Sequence, residues 1–122
     1  MVSAICRAFA IALLIMVSFV TARSGYAEKI PVITVHASRY AFVPADITLY
    51  RGETVRLKLI SDDVDHGLAV KELGIHADMP KRKSVLVYVT PVQNGDFTGT
   101  CSRFCGEGHG SMRLTVHVVD KH

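Results

Sequence analysis

The sequence of 122 residues predicts an all-β domain, a sandwich or barrel of about seven short strands. From Ile30 onward, apolar and β-branched residues come in short runs, and several runs alternate apolar with polar positions, the period of a half-buried strand. Turn-forming residues separate the runs, and no helical period of useful length interrupts them.

Val32 to His36 is the first run, and Ile47 to Tyr50 the second, closed by a turn at Arg51 and Gly52. Thr54 to Ile60 alternates cleanly, placing Val55, Leu57 and Leu59 on one face and Arg56 and Lys58 on the other. Val85, Val87 and Val89 repeat the pattern. Asn94-Gly95 signals a tight turn, Asp96 to Thr100 reads as a strand, and Arg113 to Val119 turns Leu114, Val116 and Val118 inward. Pro44, Pro80 and Pro91 fall between runs, where a missing backbone donor does least harm.

Residues 1–27 stand apart from this domain. A single positive charge, Arg7, precedes the uncharged run Ala8 to Ala22, which fits the two leading regions of a secretory signal. Cleavage is expected after Ala27 in SGYA, with Ala22 in VTA as a second site, leaving 28–122 as the domain. The alternative is an uncleaved membrane anchor at residues 8–22, which would be the chain's only membrane contact; fifteen residues are short against the roughly 20 of a spanning helix. Either way the domain is expected to be periplasmic or otherwise extracytoplasmic.

Removing residues 1–27 takes away Arg7 and Arg23 but no acid, so the 14 basic residues become 12 against 11 acidic ones. So small a net charge argues neither for nor against nucleic acid. The one basic run, Lys81-Arg82-Lys83, has no interleaved aromatic residues on which bases could stack and reads as a solvated turn.

Cys6 would leave with the leader, so Cys101 and Cys105 are the cysteine pair of an exported domain. A disulfide is the ordinary expectation there. Yet they belong to Cys101-Ser-Arg-Phe-Cys105-Gly-Glu-Gly-His109-Gly-Ser-Met112, a CxxxCxxxHxxM loop between two predicted strands. Two thiolates, an imidazole and a thioether are soft or borderline ligands and favour copper over magnesium or calcium. Gly106, Gly108 and Gly110 let the backbone turn tightly enough to bring these side chains round one point. His66, at the end of the polar turn Ser61 to Asp65, is the best candidate for a further ligand.

This loop, with Phe42-Val-Pro44, Ile47, Gly52, Asp63-Val-Asp-His66, Leu73-Gly74-Ile75 and Met112-Arg113, resembles the cupredoxins. Within them it is similar to the CuA domains of cytochrome oxidase subunit II and nitrous oxide reductase, over nearly the whole of residues 28–122. The resemblance implies a Greek-key β-sandwich with a binuclear copper centre. It further implies Cys101 and Cys105 as bridging thiolates, His66 and His109 as terminal ligands, Met112 as one axial ligand and the Arg103 carbonyl as the other. The implied function is a relay of single electrons between redox proteins, with cytochrome c and a terminal oxidase as the partners a subunit II would have. No bond chemistry is expected of the domain alone.

Arg103 departs from the glutamate of many oxidase subunits, whose side chain helps bind a second metal at the interface with the catalytic subunit. A carbonyl survives that change. The chain shows no two-helix hairpin and no tryptophan, so a free-standing domain is expected ahead of an oxidase subunit. Other rivals are an extracytoplasmic copper carrier, a single-copper blue site of His66, Cys105, His109 and Met112, and a zinc site on two thiolates and two imidazoles.

His36 and His117, on the polar side of their strands, are expected to face solvent; His76 is expected in a loop, and His122 ends the chain. Phe104 is expected to pack beneath the loop and shield sulfur from water. Asp62, Asp63 and Asp65 form an acidic patch that would steer a basic partner or simply be a solvated turn.

Overall fold

Alternation along the strands turns their apolar residues toward one another. The structure, a computed structural model, describes residues 28–122 together with Gly25. The expected signal or anchor and its cleavage sites otherwise lie outside the described residues. Nine strands follow in chain order: β1 (Val32–Ser38), β2 (Ala41–Val43), β3 (Asp46–Tyr50), β4 (Val55–Ser61), β5 (His66–Val70), β6 (Ile75–Met79), β7 (Ser84–Val89), β8 (Gly95–Thr100) and β9 (Arg113–Val119). Short 3-10 turns at Lys71–Leu73 and Glu107–Ser111 are the helical pieces among the described residues. None is long and apolar enough to cross a membrane.

Two sheets form, β2-β1-β4-β7 and β3-β9-β8-β5-β6. Two neighbouring pairs, β1 with β4 and β3 with β9, run parallel and require the chain to cross between sheets. The other pairs are antiparallel. Between the sheets lie Val35, Leu57 and Leu59 from one side and Leu49, Leu68, Leu114 and Val116 from the other, all at 0% exposure. Each such side chain stabilises the fold by about 1.5–3 kcal/mol through burial. The alternations of β4 and β9 place their apolar residues inward as the sequence predicts.

Three strands escaped that reading. β2 has three residues, too few to show a period. In β5 four of five residues are buried, so no alternation marks it, and Gly67 and Ala69 are weak strand formers. β6 does alternate, but through His76, Ala77 and Asp78, and His76 therefore lies in a strand and not a loop. Its side chain is exposed.

The topology gathers four connections at one end of the sandwich. These are Arg39–Tyr40 between β1 and β2, Asp62–Asp65 between β4 and β5, Pro80–Lys83 between β6 and β7, and Cys101–Met112 between β8 and β9.

Candidate metal centre

β8 and β9 are antiparallel neighbours, with Thr100 opposite Arg113, so the intervening loop leaves and re-enters the sheet at one place. Cys101 and Met112 are thereby fixed at its two ends. His66 opens β5, and the Ser102 N–H donates to the carbonyl of Gly67 at 3.3 Å, drawing the loop onto that strand. A Cβ at Gly67 would meet the Ser102 hydroxyl and press on the Ala77 carbonyl, so glycine favours this close approach. Across the loop, the ring of Tyr40 lies against Gly106 and Gly108, where any Cβ would strike it. Arg39 completes the hold by donating from Nε to the Cys105 carbonyl at 2.9 Å.

Five of the six residues singled out by sequence come together. His66 and Met112 are fully buried, and Cys101 and Cys105 nearly so. The sulfurs stand 3.9 Å apart as free thiols, far beyond the roughly 2.05 Å of a disulfide. His66 Nδ1 is 3.9 Å from Cys101 Sγ, and His109 Nδ1 is 3.8 Å from Cys105 Sγ. Met112 Sδ lies 3.4 Å from Cys105 Sγ. The sixth, Arg103, offers its carbonyl, which is 3.1 Å from Cys101 Sγ. Its side chain points away toward Asp65, at 3.4 Å.

Charge around the sulfurs follows from burial. Desolvation pushes the Cys105 thiol up to about 11, the neighbouring Cys101 adds to the rise, and Arg39 opposes it. Asp63 answers differently. Burial pushes its carboxyl up, but donation from the Arg39 N–H, the His66 ring and the Val64 N–H outweighs this and holds it down at about 2. Its Oδ1 is 2.7 Å from His66 Nε2. Since Asp63 accepts there, Nε2 carries the ring proton and Nδ1 faces the sulfurs with its lone pair.

The family model for the periplasmic domain of cytochrome c oxidase subunit II matches residues 26–119. The chain belongs to that family. A probable cytochrome c oxidase subunit 2 of Rickettsia bellii is 32% identical over 75 residues, covering 62% of this chain and 28% of the relative. That of Streptomyces avermitilis is 37% identical over 71 residues, covering 58% and 22%. The chain thus spans about a quarter of the length of these curated relatives. The crystal structure of the periplasmic domain of cytochrome oxidase subunit II from Bradyrhizobium japonicum shares the fold, with a TM-score of 0.68 at 16% identity over 74% of this chain and 84% of that one. So does auracyanin A, a blue copper protein of Chloroflexus aurantiacus, with a TM-score of 0.62 at 14% identity over 75% and 100%. This subunit II domain is a cupredoxin, copper-binding and extracytoplasmic.

The donor set of the subunit II domain fits copper. Cys101, Cys105 and His66 present ligand atoms all within 4.8 Å of one another, and two sulfurs 3.9 Å apart can both reach one ion at a metal–sulfur distance of about 2.3 Å. His109 stands outside that group of three, on the Cys105 side.

One expectation about this end of the domain fails. Phe104 does not pack beneath the loop: it is 77% exposed, its ring centroid 5.7 Å from that of His109. Buried Met112 already packs against the sulfurs, its Sδ 3.4 Å from Cys105 Sγ, and the phenyl ring is left outside. Asp62, Asp63 and Asp65 lie together before His66 with their side chains partly exposed, and each has a partner. Asp62 pairs with His36 at 2.8 Å, Asp63 turns to His66, and Asp65 accepts from the Lys81 N–H at 2.7 Å and pairs with Arg103. Sequence reasoning missed Asp63, Arg39 and Tyr40 as supports of the site. The Asp63-x-x-His66 spacing could have revealed the first; nothing local marks the other two, which act across the sandwich.

Proposed function

We propose that this domain holds a binuclear, CuA-type copper centre and relays single electrons between protein partners outside the cytoplasm. One observation carries the reading: two unbonded buried sulfurs 3.9 Å apart, with His66 beside one and His109 beside the other. A single four-ligand ion would need both imidazoles in one tight group with the sulfurs, and His109 is outside it. Cys101 and Cys105 would hold the copper through their thiolates, His66 and His109 through their imidazoles, and Met112 and the Arg103 carbonyl would be the weaker donors. A copper pair so held supplies a one-electron couple shared over both ions and both sulfurs.

The chain's own residues make that couple useful. β5, β8 and β9 fix His66, Cys101 and Met112 at strand ends, and Arg39 and Tyr40 brace the loop that carries Cys105 and His109, so the same positions would serve both oxidation states with little rearrangement. Met112, fully buried and 3.4 Å from Cys105 Sγ, excludes water from that side. Asp63 keeps the His66 ring in one tautomer and orientation. With all six of these donors on the copper, no open position would be left for a substrate.

Residues 1–27 act in this proposal as the export signal or anchor and 28–122 as the working domain. Cytochrome c as donor and a terminal oxidase as acceptor are the partners that fit the family. One observation favours a place inside an oxidase: a chain of a heme-copper terminal oxidase dimer matches over 97% of this chain and 95% of its own length, with a TM-score of 0.67 at 16% identity.

Electron exchange measured beside copper loss separates a relay from a carrier. A relay exchanges electrons rapidly and keeps its copper against a competing chelator. Slow exchange with ready transfer of copper to the chelator would make it a carrier.

A further inference from the structure

One residue reaches both halves of the metal centre. Arg39 stands in the two-residue connection between β1 and β2. Its backbone N–H donates to Asp63 Oδ2 at 2.8 Å, and Asp63 Oδ1 in turn accepts from His66 Nε2. The side chain runs the other way, donating from Nε to the Cys105 carbonyl at 2.9 Å. Arg39 is thus tied on one side to the carboxylate that orients a ligand imidazole, and on the other to the main chain of a ligand sulfur. Two other arginines near the loop differ. Arg113 donates to the carbonyls of Gly110 and Met112 at the loop's exit, and Arg103 turns away to pair with Asp65. Among the described residues no carboxylate forms an ion pair with the Arg39 guanidinium. Its charge is felt at the sulfur: burial and Cys101 push the Cys105 thiol up, and Arg39 pulls it down by more than Asp63 adds. A cation beside a redox centre favours the state that holds one more electron.

We propose that Arg39 is a positioning residue of the copper centre, whose Nε–H fixes the Cys105 end of the loop and whose positive charge raises the centre's reduction potential. The inference rests on the electron-relay reading and deepens it by naming a residue that sets the potential. Arginine serves both tasks at once. The guanidinium keeps its charge at any physiological pH, and its planar fork gives the Nε–H a fixed direction that a lysine ammonium lacks.

The test uses copper-loaded protein, with the reduction potential read by voltammetry, the centre by electron spin resonance, and copper loss by a competing chelator. Each voltammetric cycle moves one electron between the electrode and the copper centre, with no bond made or broken. Arg39→Met removes the charge and the side-chain donor but leaves the backbone N–H that holds Asp63, whereas Arg39→Lys keeps the charge. Arg39 is exposed, so both variants are expected to fold. Arg39→Met is expected to shift the potential to lower values and to give up copper about tenfold more readily. Arg39→Lys is expected to restore most of the potential while still losing copper faster than the wild-type protein. Arg39→Gln, which keeps an N–H donor without the charge, is expected to show the same lowered potential and carries the comparison if Arg39→Met holds no copper. A potential left unchanged when the charge is removed overturns the proposal, and so does an equal shift in the lysine variant, which would leave nothing to the charge. A wild-type sample without a copper resonance would instead overturn the relay reading beneath it.

Discussion

Asp63 holds His66: Oδ1 accepts from Nε2 at 2.7 Å, while the same carboxylate takes the N–H groups of Arg39 and Val64. A ring with no exposure to water thus has its proton fixed on the side away from sulfur. The loop Ser61–Asp65 is itself braced by the Ser61 hydroxyl donating to the Val64 carbonyl.

Removing that carboxylate frees the ring. Asp63→Ala is expected to weaken copper binding by about 10- to 100-fold, the usual effect of losing an outer partner of a ligand histidine. Asp63→Asn keeps an acceptor and should fall between the two, as read by competition with a copper chelator.

Acid should release the same contact. The Asp63 carboxyl is held down at about 2 against an unfolded value near 3.9, so its contribution is full above about pH 4 and is lost as pH falls toward 2. Denaturant unfolding of the metal-free protein across that window, compared with Asp63→Asn, reads the difference: the wild-type protein should lose more stability on acidification than the variant.

Copper uptake should strengthen as pH rises. The Cys105 thiol, pushed up to about 11, is protonated at neutral pH in the metal-free protein, and a ligand thiolate must give that proton up. Proton release on loading, followed with an indicator dye in weak buffer, should be evident at pH 7. For the same reason alkylation of Cys105 in the metal-free protein should be slow at pH 8.

Tyr40 and Gly108 should show strong coupling. Gly108→Ala drives a Cβ into the Tyr40 ring, so it should destabilise the loop, and Tyr40→Ala should relieve much of that effect. A double-mutant cycle should return an interaction of about 0.5–3 kcal/mol.

On the far side of the five-stranded sheet, His117 sits between Asp46 at 2.9 Å and Asp96 at 2.6 Å. Its pKa is raised chiefly by Asp46 and next by Asp96. A protonated His117 therefore contributes stability fully below about pH 6.5, lost as pH climbs through the raised folded value. Titration followed by NMR should show the ring pKa dropping in Asp46→Asn and again in the double variant with Asp96→Asn.

Much of this molecule was legible before its structure. β4 and β9 announce themselves because each has one wet and one dry face, and the sulfur loop because its ligands are contiguous in sequence. β5 was silent for the opposite reason, being buried on both faces with glycine and alanine in it. The position of Phe104 could not be read from spacing, because whether a loop aromatic faces in or out depends on what already fills the core. The aspartates after β4 looked like a patch in one dimension, and only the fold shows His36, His66 and Arg103 arriving to meet them.

Cys101 decides the matter at the centre. Copper-loaded protein, assayed for metal per chain and examined by electron spin resonance, is expected to hold two coppers and show one unpaired spin shared over both nuclei, a signature that Cys101→Ser should collapse and Met112→Leu should leave in place. One copper per chain with the spin on a single nucleus, unchanged in Cys101→Ser, would contradict the paired centre.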